Sequence, residues 1–400
     1  MGGYEVDPQI MLYDTKLSNY LQRKLKYFFL IVLFFLTTAN QLIPFPLEKM
    51  GALVFSVFYV FMHEQSFTLN RYQWTLLGLS IGIALFSAVA NISSFSFMIF
   101  FPVIGFFFAF NLSKKFYYLE LFYFAIVLHI IVGLLLAADS YVHGINPHVA
   151  GMGGKGIPFL HSTYGLTSTS QSFGTLCISG LLIYYLRKDY KEVTILDNFI
   201  IYPLITIGIF NTFNRATFLA YFIILFFKNR KLLLFYLLCI LILTIVFWDI
   251  ILLSLFNTNT ISSRSELLEG FNISFWQSHS LKVYLFGRGT NEVTANILFD
   301  VTWSSRKDIE NGHAMLLHSY GFLGYLSYIF SCLIFVWTAF LRKYFYLASI
   351  AFYYLVVAPY ITQEFVTSTF YIILAIFIYM LHCYTNDQSR YSIKPQEQVI

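Results

Sequence analysis

The sequence predicts an all-α integral membrane protein, and three observations carry that prediction. Charge is scarce, apolar stretches of membrane length recur along the chain, and basic residues are sorted into alternate connections. Hydrophobic residues make up 58% of the 400 and charged residues only 11%, against roughly a quarter charged in an ordinary soluble domain. So little charge cannot clothe a soluble globule of this size. Apolar runs of about 17 to 25 residues, each able to carry a helix across about 30 Å of hydrocarbon, recur from Lys26 to Cys383. They predict one polytopic membrane domain over residues 1–400 with about 12 transmembrane helices.

The expected spans lie near 26–43, 47–63, 72–90, 94–111, 116–138, 171–187, 198–213, 215–228, 231–255, 312–341, 344–358 and 366–383. The first 25 residues are polar and lack a small-residue cleavage site, so the first span is expected to serve as the export signal. Span 26–43 follows Arg23 and Lys24, and 72–90 starts after Arg71. Lys114 and Lys115 follow 94–111, while Arg187 and Lys188 close 171–187. Lys228, Arg230 and Lys231 join 215–228 to 231–255, Arg342 and Lys343 follow 312–341, and Arg390 and Lys394 follow the last span. Most of the 25 basic residues thus fall on the side of the N-terminus, which the positive-inside rule makes cytoplasmic for both termini. The net charge of +5 is explained by this sorting and does not point to nucleic acid as a partner.

Two segments interrupt the rhythm of span and short connector, and both fall on the outer face: 139–170, rich in Gly and His, and 256–311. Long loops are uncommon unless functional or disordered. The four cysteines, Cys177, Cys239, Cys332 and Cys383, lie in or at the ends of spans without paired spacing, so neither a disulfide nor a metal site is expected from them. No internal repeat or inverted pair of broken helices marks the chain as a secondary transporter.

The unusual chemistry sits at the outer face. Arg215 follows Asn211-Thr212-Phe213-Asn214 in a very short turn between two spans. It reads either as an interfacial anchor or as a guanidinium that grips phosphate through two parallel hydrogen bonds. Arg264 opens a stretch in which Leu267, Leu268, Phe271, Phe275 and Trp276 share one helical face, predicting an interfacial amphipathic helix. Arg264 is then either held at headgroup depth or merely solvated. In Gly287-Arg288-Gly289 the glycines either let the backbone approach a ligand and offer its amides, or simply make a turn.

Glu310 and His313 stand where span 312–341 enters from outside, and either is a candidate proton acceptor for a hydroxyl. His318 reads as a packing residue. His143, His148 and His161 are not at a recognised metal-ligand spacing. The run Ser162 to Ser172 offers hydroxyls for sugar, or caps the next helix. Trp276 and Trp303 are the loop aromatics available for stacking.

In order and placement these pieces resemble the O-antigen polymerase (Wzy) and O-antigen ligase superfamily over roughly residues 139–341. The matching features are the Gly/Ser/Thr-rich segment running into Phe173-Gly174, Asn214-Arg215-Ala216, and Ser263-Arg264 at the start of a long loop. Leu285-Phe286-Gly287-Arg288-Gly289 and Tyr320-Gly321-Phe322-Leu323-Gly324 complete the series. Where the family pattern usually has His-Asn, this chain has Glu310-Asn311, with His313 offset by three. That departure favours the polymerase branch.

The resemblance implies a GT-C-like fold in the bacterial inner membrane with two long periplasmic loops. It implies glycosyl transfer between undecaprenyl-pyrophosphate-linked oligosaccharides, without metal or other cofactor, and leaves room for a polysaccharide chain-length regulator as partner. Negative charge builds on the departing diphosphate, so fixed cations favour the transition state over the ground state. Arg215, Arg264 and Arg288, with Gly289, are the expected clamp, and Glu310 or His313 the expected base. The rival readings are an O-antigen ligase, which uses a nearly identical donor site, and a polysaccharide flippase or transporter, which should carry its charges inside the spans.

Overall fold

The computed structural model describes residues 24–39, 41, 47–62, 71–92, 96–152, 159–190, 192–246, 248, 268–289, 293–296, 303–306, 311–362 and 367–392. In chain order the helices are α1 (24–36), α2 (Leu47–Met62), α3 (Arg71–Ala90), α4 (Phe101–Leu112, led in by a 3-10 turn at Phe97–Phe100) and α5 (Phe116–His143). Next come α6 (Ser170–Asp189), α7 (Tyr202–Asn211, entered through a π-turn at Asp197–Ile201), α8 (Arg215–Lys228) and α9 (Arg230–Val246). The chain continues with α10 (268–275), α11 (Leu281–Phe286), α12 (Gly312–Leu341), α13 (Phe345–Phe352) and α14 (Ser368–Ser392). After α13 a π-turn at Tyr353–Val357 and a 3-10 turn at Ala358–Tyr360 carry the chain onward.

The fold is built around α6. Every side chain from Ser172 to Arg187 is buried, and α5, α7, α8 and α14 pack around it. Small residues permit that approach: a Cβ on Gly174 would collide with the Thr217 hydroxyl of α8. His129 on α5 ties the surrounding layer together. Its Nε2 accepts from the Leu166 amide at 3.1 Å, which leaves the proton on Nδ1 to donate to the Thr38 hydroxyl, also at 3.1 Å. Nothing in the sequence singled out this histidine.

Apolar surface faces outward to an extent that a soluble protein does not tolerate. No residue of α9 is buried, and Leu234, Ile245, Val89 and Leu135 are each more than 60% exposed. Among the described residues three helices are long and apolar enough to cross a membrane, Arg71–Ala90, Phe116–His143 and Gly312–Leu341, with shorter apolar helices at Phe97–Leu112, Phe345–Tyr360 and Ser368–Tyr384. The protein is therefore mostly helical and suited to a bilayer, as expected. Two of the expected spans are short, however: α8 has 14 residues, and α7 has 10 beyond its five-residue π-turn, so each rises about 20 Å.

The two long segments contain regular structure. In the first, α5 runs on to His143 and a hairpin pairs β1 (Val149–Gly151) with β2 (His161–Thr163). In the second, β3 (Val293–Asn296) pairs with β4 (Trp303–Arg306). The apolar face of α10 packs on the protein: Phe271 and Phe275, stacked at 5.5 Å, meet Ala314, Met315 and Leu317 of α12, while Trp276 stays exposed.

Arg187, one of the basic residues that close span 171–187, is buried. Its Nη2 lies 3.3 Å from Asp197 and 3.9 Å from Glu120, and its guanidinium lies over the Tyr123 ring. The Tyr123 hydroxyl and both the amide and hydroxyl of Thr194 donate to the Asp197 carboxylate. The expected stretch beyond Val246 in 231–255 falls largely outside the described residues.

Candidate functional site at the helix starts

Three helices begin at the end of the bundle where the long outer segments attach. Each start is capped by the residue type that chain chemistry favours there. The Thr169 hydroxyl accepts from the Ser172 amide, the Asn214 side chain from the Ala216 amide at 2.8 Å, and the Asn311 side chain from the Ala314 amide at 3.0 Å. The turn before Asn214 is strained. Phe213 has a φ of 46°, a left-handed conformation that costs a non-glycine residue about 1–2 kcal/mol. It is held by the Ser162 hydroxyl, which donates to the Thr212 carbonyl at 2.6 Å.

Arg215 occupies the first position of α8, exposed, with no hydrogen-bond or ion-pair partner for its side chain among the described residues. This is the positive end of a helix dipole, an unfavourable place for a cation and a favourable one for an anion. The two effects combine into a concentrated positive potential.

The π-turn after α13 connects Arg215 to His313. At one end the Tyr353 hydroxyl donates to the Ala216 carbonyl at 2.7 Å, next to Arg215. Near the other end the Val356 carbonyl accepts from His313 Nε2 at 2.8 Å. A carbonyl can only accept, so Nε2 carries the proton and Nδ1 presents a lone pair. That Nδ1 is buried and has no protein partner among the described residues. Tyr360 covers the imidazole, ring centre to ring centre at 4.2 Å, and Tyr325 meets it edge-on. The Gly312 amide donates to the Thr362 carbonyl at 2.8 Å, and Gln171 at the start of α6 donates to the Ile361 carbonyl at 3.2 Å. The starts of α6, α8 and α12 are thus fastened to one segment, 353–362. Single-turn π segments inside helices are frequent at functional sites.

Arg288 and Gly289 sit on a different side of α12. Helix α12 is broken at Gly321, where φ is 64° and ψ −167°, and the carbonyls freed by the break are reoccupied. The Arg288 amide donates to the His318 carbonyl at 2.7 Å, the Gly289 amide to the Ser319 carbonyl at 3.1 Å, and the Ser87 hydroxyl of α3 to Ser319 at 2.9 Å. The Gly-Arg-Gly amides that the sequence offered to a ligand are therefore committed to repairing a broken helix. The glycines serve that contact, since a Cβ on Gly287 would fall 2.5 Å from the Ser319 carbonyl carbon and one on Gly321 would collide with the Leu285 carbonyl. The Arg288 Nε and the His318 Nε2 are both buried without a partner among the described residues. His318 packs against Phe271, in keeping with a packing role.

The loop histidines are each engaged. His161 stacks on Tyr141 at 4.4 Å and bonds Ser140, His148 Nδ1 bonds the Gly165 carbonyl at 3.0 Å, and His143 pairs with Asp139. Of the Ser/Thr run, Thr169 caps α6 and the Thr167 hydroxyl donates to Tyr164, while Ser168 is exposed. Arg264 and Glu310 lie outside the described residues; of the expected set, His313 and the helix that Arg215 begins are tied to the same segment, 353–362. The roles of Tyr353 and Val356 were invisible in the sequence, because a tyrosine and a valine in an apolar run carry no chemical signature.

Searches of family models, curated proteins and solved structures found no match to this chain.

Proposed function

We propose that the protein is a metal-independent glycosyltransferase of the O-antigen polymerase type. It joins undecaprenyl-pyrophosphate-linked oligosaccharide repeat units at the periplasmic face of the bacterial inner membrane. The observation that carries the reading is the fastening of His313, and of Ala216 next to Arg215, to one π-turn at the end of the bundle where the long segments attach. In this reading the chain has about 12 spans in a GT-C-like arrangement with cytoplasmic termini.

Arg215 grips the diphosphate of the donor, with Arg264 and Arg288 as further candidates for the clamp. The acceptor hydroxyl attacks the anomeric carbon, its proton passes to a base, and the bond from that carbon to the diphosphate oxygen breaks. The electron pair leaves with undecaprenyl diphosphate. His313 Nδ1 has an unshared lone pair and serves as the base once Tyr360, which covers it, moves aside; Glu310 is the alternative. The bland role for His313, a packed helix-start residue held by Val356, predicts no effect on chemistry. A transporter reading draws no support from burial. Among the described residues the buried charged or imidazole side chains are the Arg187–Asp197 pair and three histidines, which do not form a charged path.

The test is the lipopolysaccharide banding pattern of a strain lacking this gene, with and without its restoration. Loss of the long ladder, with a single repeat still attached to core, supports the polymerase. Loss of every attached repeat, with polymer stranded on the lipid carrier, assigns the ligase reaction instead. An unchanged pattern rejects both.

A further inference from the structure

A long cleft runs down one side of the bundle between α3, α4, α12 and α14, with a volume of about 1150 Å³. That exceeds the roughly 300–1,000 Å³ typical of small-molecule pockets. Along α12 its lining extends from Leu316 to Arg342, a rise of about 39 Å. Its walls are apolar for most of that length, with Leu76, Phe106, Phe335 and Ile378 among them. The hydroxyls that line it do not make it a polar channel: Ser80, Ser331 and Thr338 each donate to a carbonyl one turn back in their own helix. One end differs. Lys114, Lys115, Arg342 and His382 line it there.

We propose that this cleft binds an anionic glycerophospholipid, its phosphate held between Lys114, Lys115 and Arg342 and its acyl chains lying along the aromatic and aliphatic walls. Charge complementarity selects this occupant. Three cations at one mouth of an otherwise apolar cleft match a phosphate joined to hydrocarbon, and a transmembrane helix from another copy would bring no obligatory negative charge to that mouth. Partial burial lowers the Lys114 pKa from its ordinary value by desolvation, and a phosphate beside it offsets that effect. Basic residues at a membrane surface attract anionic lipid. The site lies at the end of the bundle opposite the Arg215 region, so it goes beyond the proposed transferase site and rests only on the membrane architecture.

The test is native mass spectrometry of the full chain in detergent with added phosphatidylglycerol or phosphatidylcholine. Phosphatidylglycerol should be retained in preference to phosphatidylcholine, and K114Q/K115Q/R342Q should bind it at least about tenfold more weakly. The charge-keeping variant K114R/K115R/R342K should hold it nearly as the parent does, and Arg230→Gln, a charge loss outside the cleft, should change nothing. Ser331→Phe, which fills the cleft without touching a charge, should weaken binding of the lipid.

Equal retention of both lipids overturns the proposal. So does undiminished phosphatidylglycerol binding by a glutamine variant that melts like the parent, and so does displacement by inorganic phosphate at matched concentration, which would make it an anion site without a tail. A dimer that excludes lipid and is broken by Ser331→Phe would assign the cleft to a second copy. Binding is read directly, so a negative result here leaves the polymerase reading intact, and the reverse also holds.

Discussion

The Arg288 amide and the His318 carbonyl are bonded at 2.7 Å across the point where α12 breaks. Helix backbone inside a membrane must find partners within the protein, since lipid supplies none. The short α11 and the Gly-Arg-Gly turn supply them here, with Ser87 of α3 as the third donor. The N-terminal half of α12, which carries His313, is thereby set at an angle that a straight helix would not give.

That joint makes Gly287 a strong stability position. Its φ of 74° and the clash that any Cβ would make with Ser319 both oppose another residue there, so Gly287→Ala should lower the melting temperature of the detergent-solubilised chain. With ψ at −168° this is backbone that essentially only glycine adopts, a cost of about 1–3 kcal/mol for another residue, and the clash adds to it. Gly78→Ala in α3, where a Cβ meets nothing within 4 Å, should be neutral or stabilising by up to about 1 kcal/mol. Equal melting of the two variants would contradict the joint.

Arg215 separates function from stability. It is exposed and unpartnered among the described residues, so Arg215→Ala should move stability by no more than about 0.5 kcal/mol. The same substitution should abolish the lipopolysaccharide ladder. Arg215→Lys should restore it only in part, because a point charge does not reproduce the two-pronged guanidinium contact. A full ladder from the alanine variant at normal membrane levels would remove Arg215 from the clamp.

His313→Gln tests which group is the base. If Nδ1 accepts the hydroxyl proton, turnover by purified enzyme should fall about 10²- to 10⁴-fold. A base must be unprotonated to act, so the parent rate should fall as pH drops through the histidine pKa, and that acid limb should vanish in the variant. Persistence of the limb with only a small loss of rate would point to Glu310.

The Arg187–Asp197 pair is a structural lock. Arg187→Met leaves a nearly inaccessible carboxylate without its cation and should cost about 3–5 kcal/mol, read as a lower melting temperature. The double variant R187M/D197L removes both charges and should recover much of that loss. A double variant as unstable as the single one would show that Asp197 is held mainly by Tyr123 and Thr194.

Helix positions were legible in the sequence because they depend on apolar run length and on local caps. Expected spans 47–63, 72–90, 215–228 and 312–341 match helices to within a residue at each end, and Asn214 and Asn311 act as the caps that their side chains suit. The candidate site was legible in part. Arg215 stood out because a guanidinium between two apolar runs has few structural uses, and His313 because it begins a span.

What the sequence could not specify was partnership. The amides of Arg288 and Gly289 read as free donors until the break at Gly321 supplied carbonyls for them. Arg187 counted only toward the sorting of charge, and its partners Asp197, Glu120 and Tyr123 came with the packed bundle. Tyr353 and Val356 read as filler until they fastened Arg215's helix and His313 to one turn. Local propensity and hydropathy act over a few residues and are written along the chain. A hydrogen bond or ion pair between residues far apart in sequence depends on which helices become neighbours, and only the packed bundle decides that.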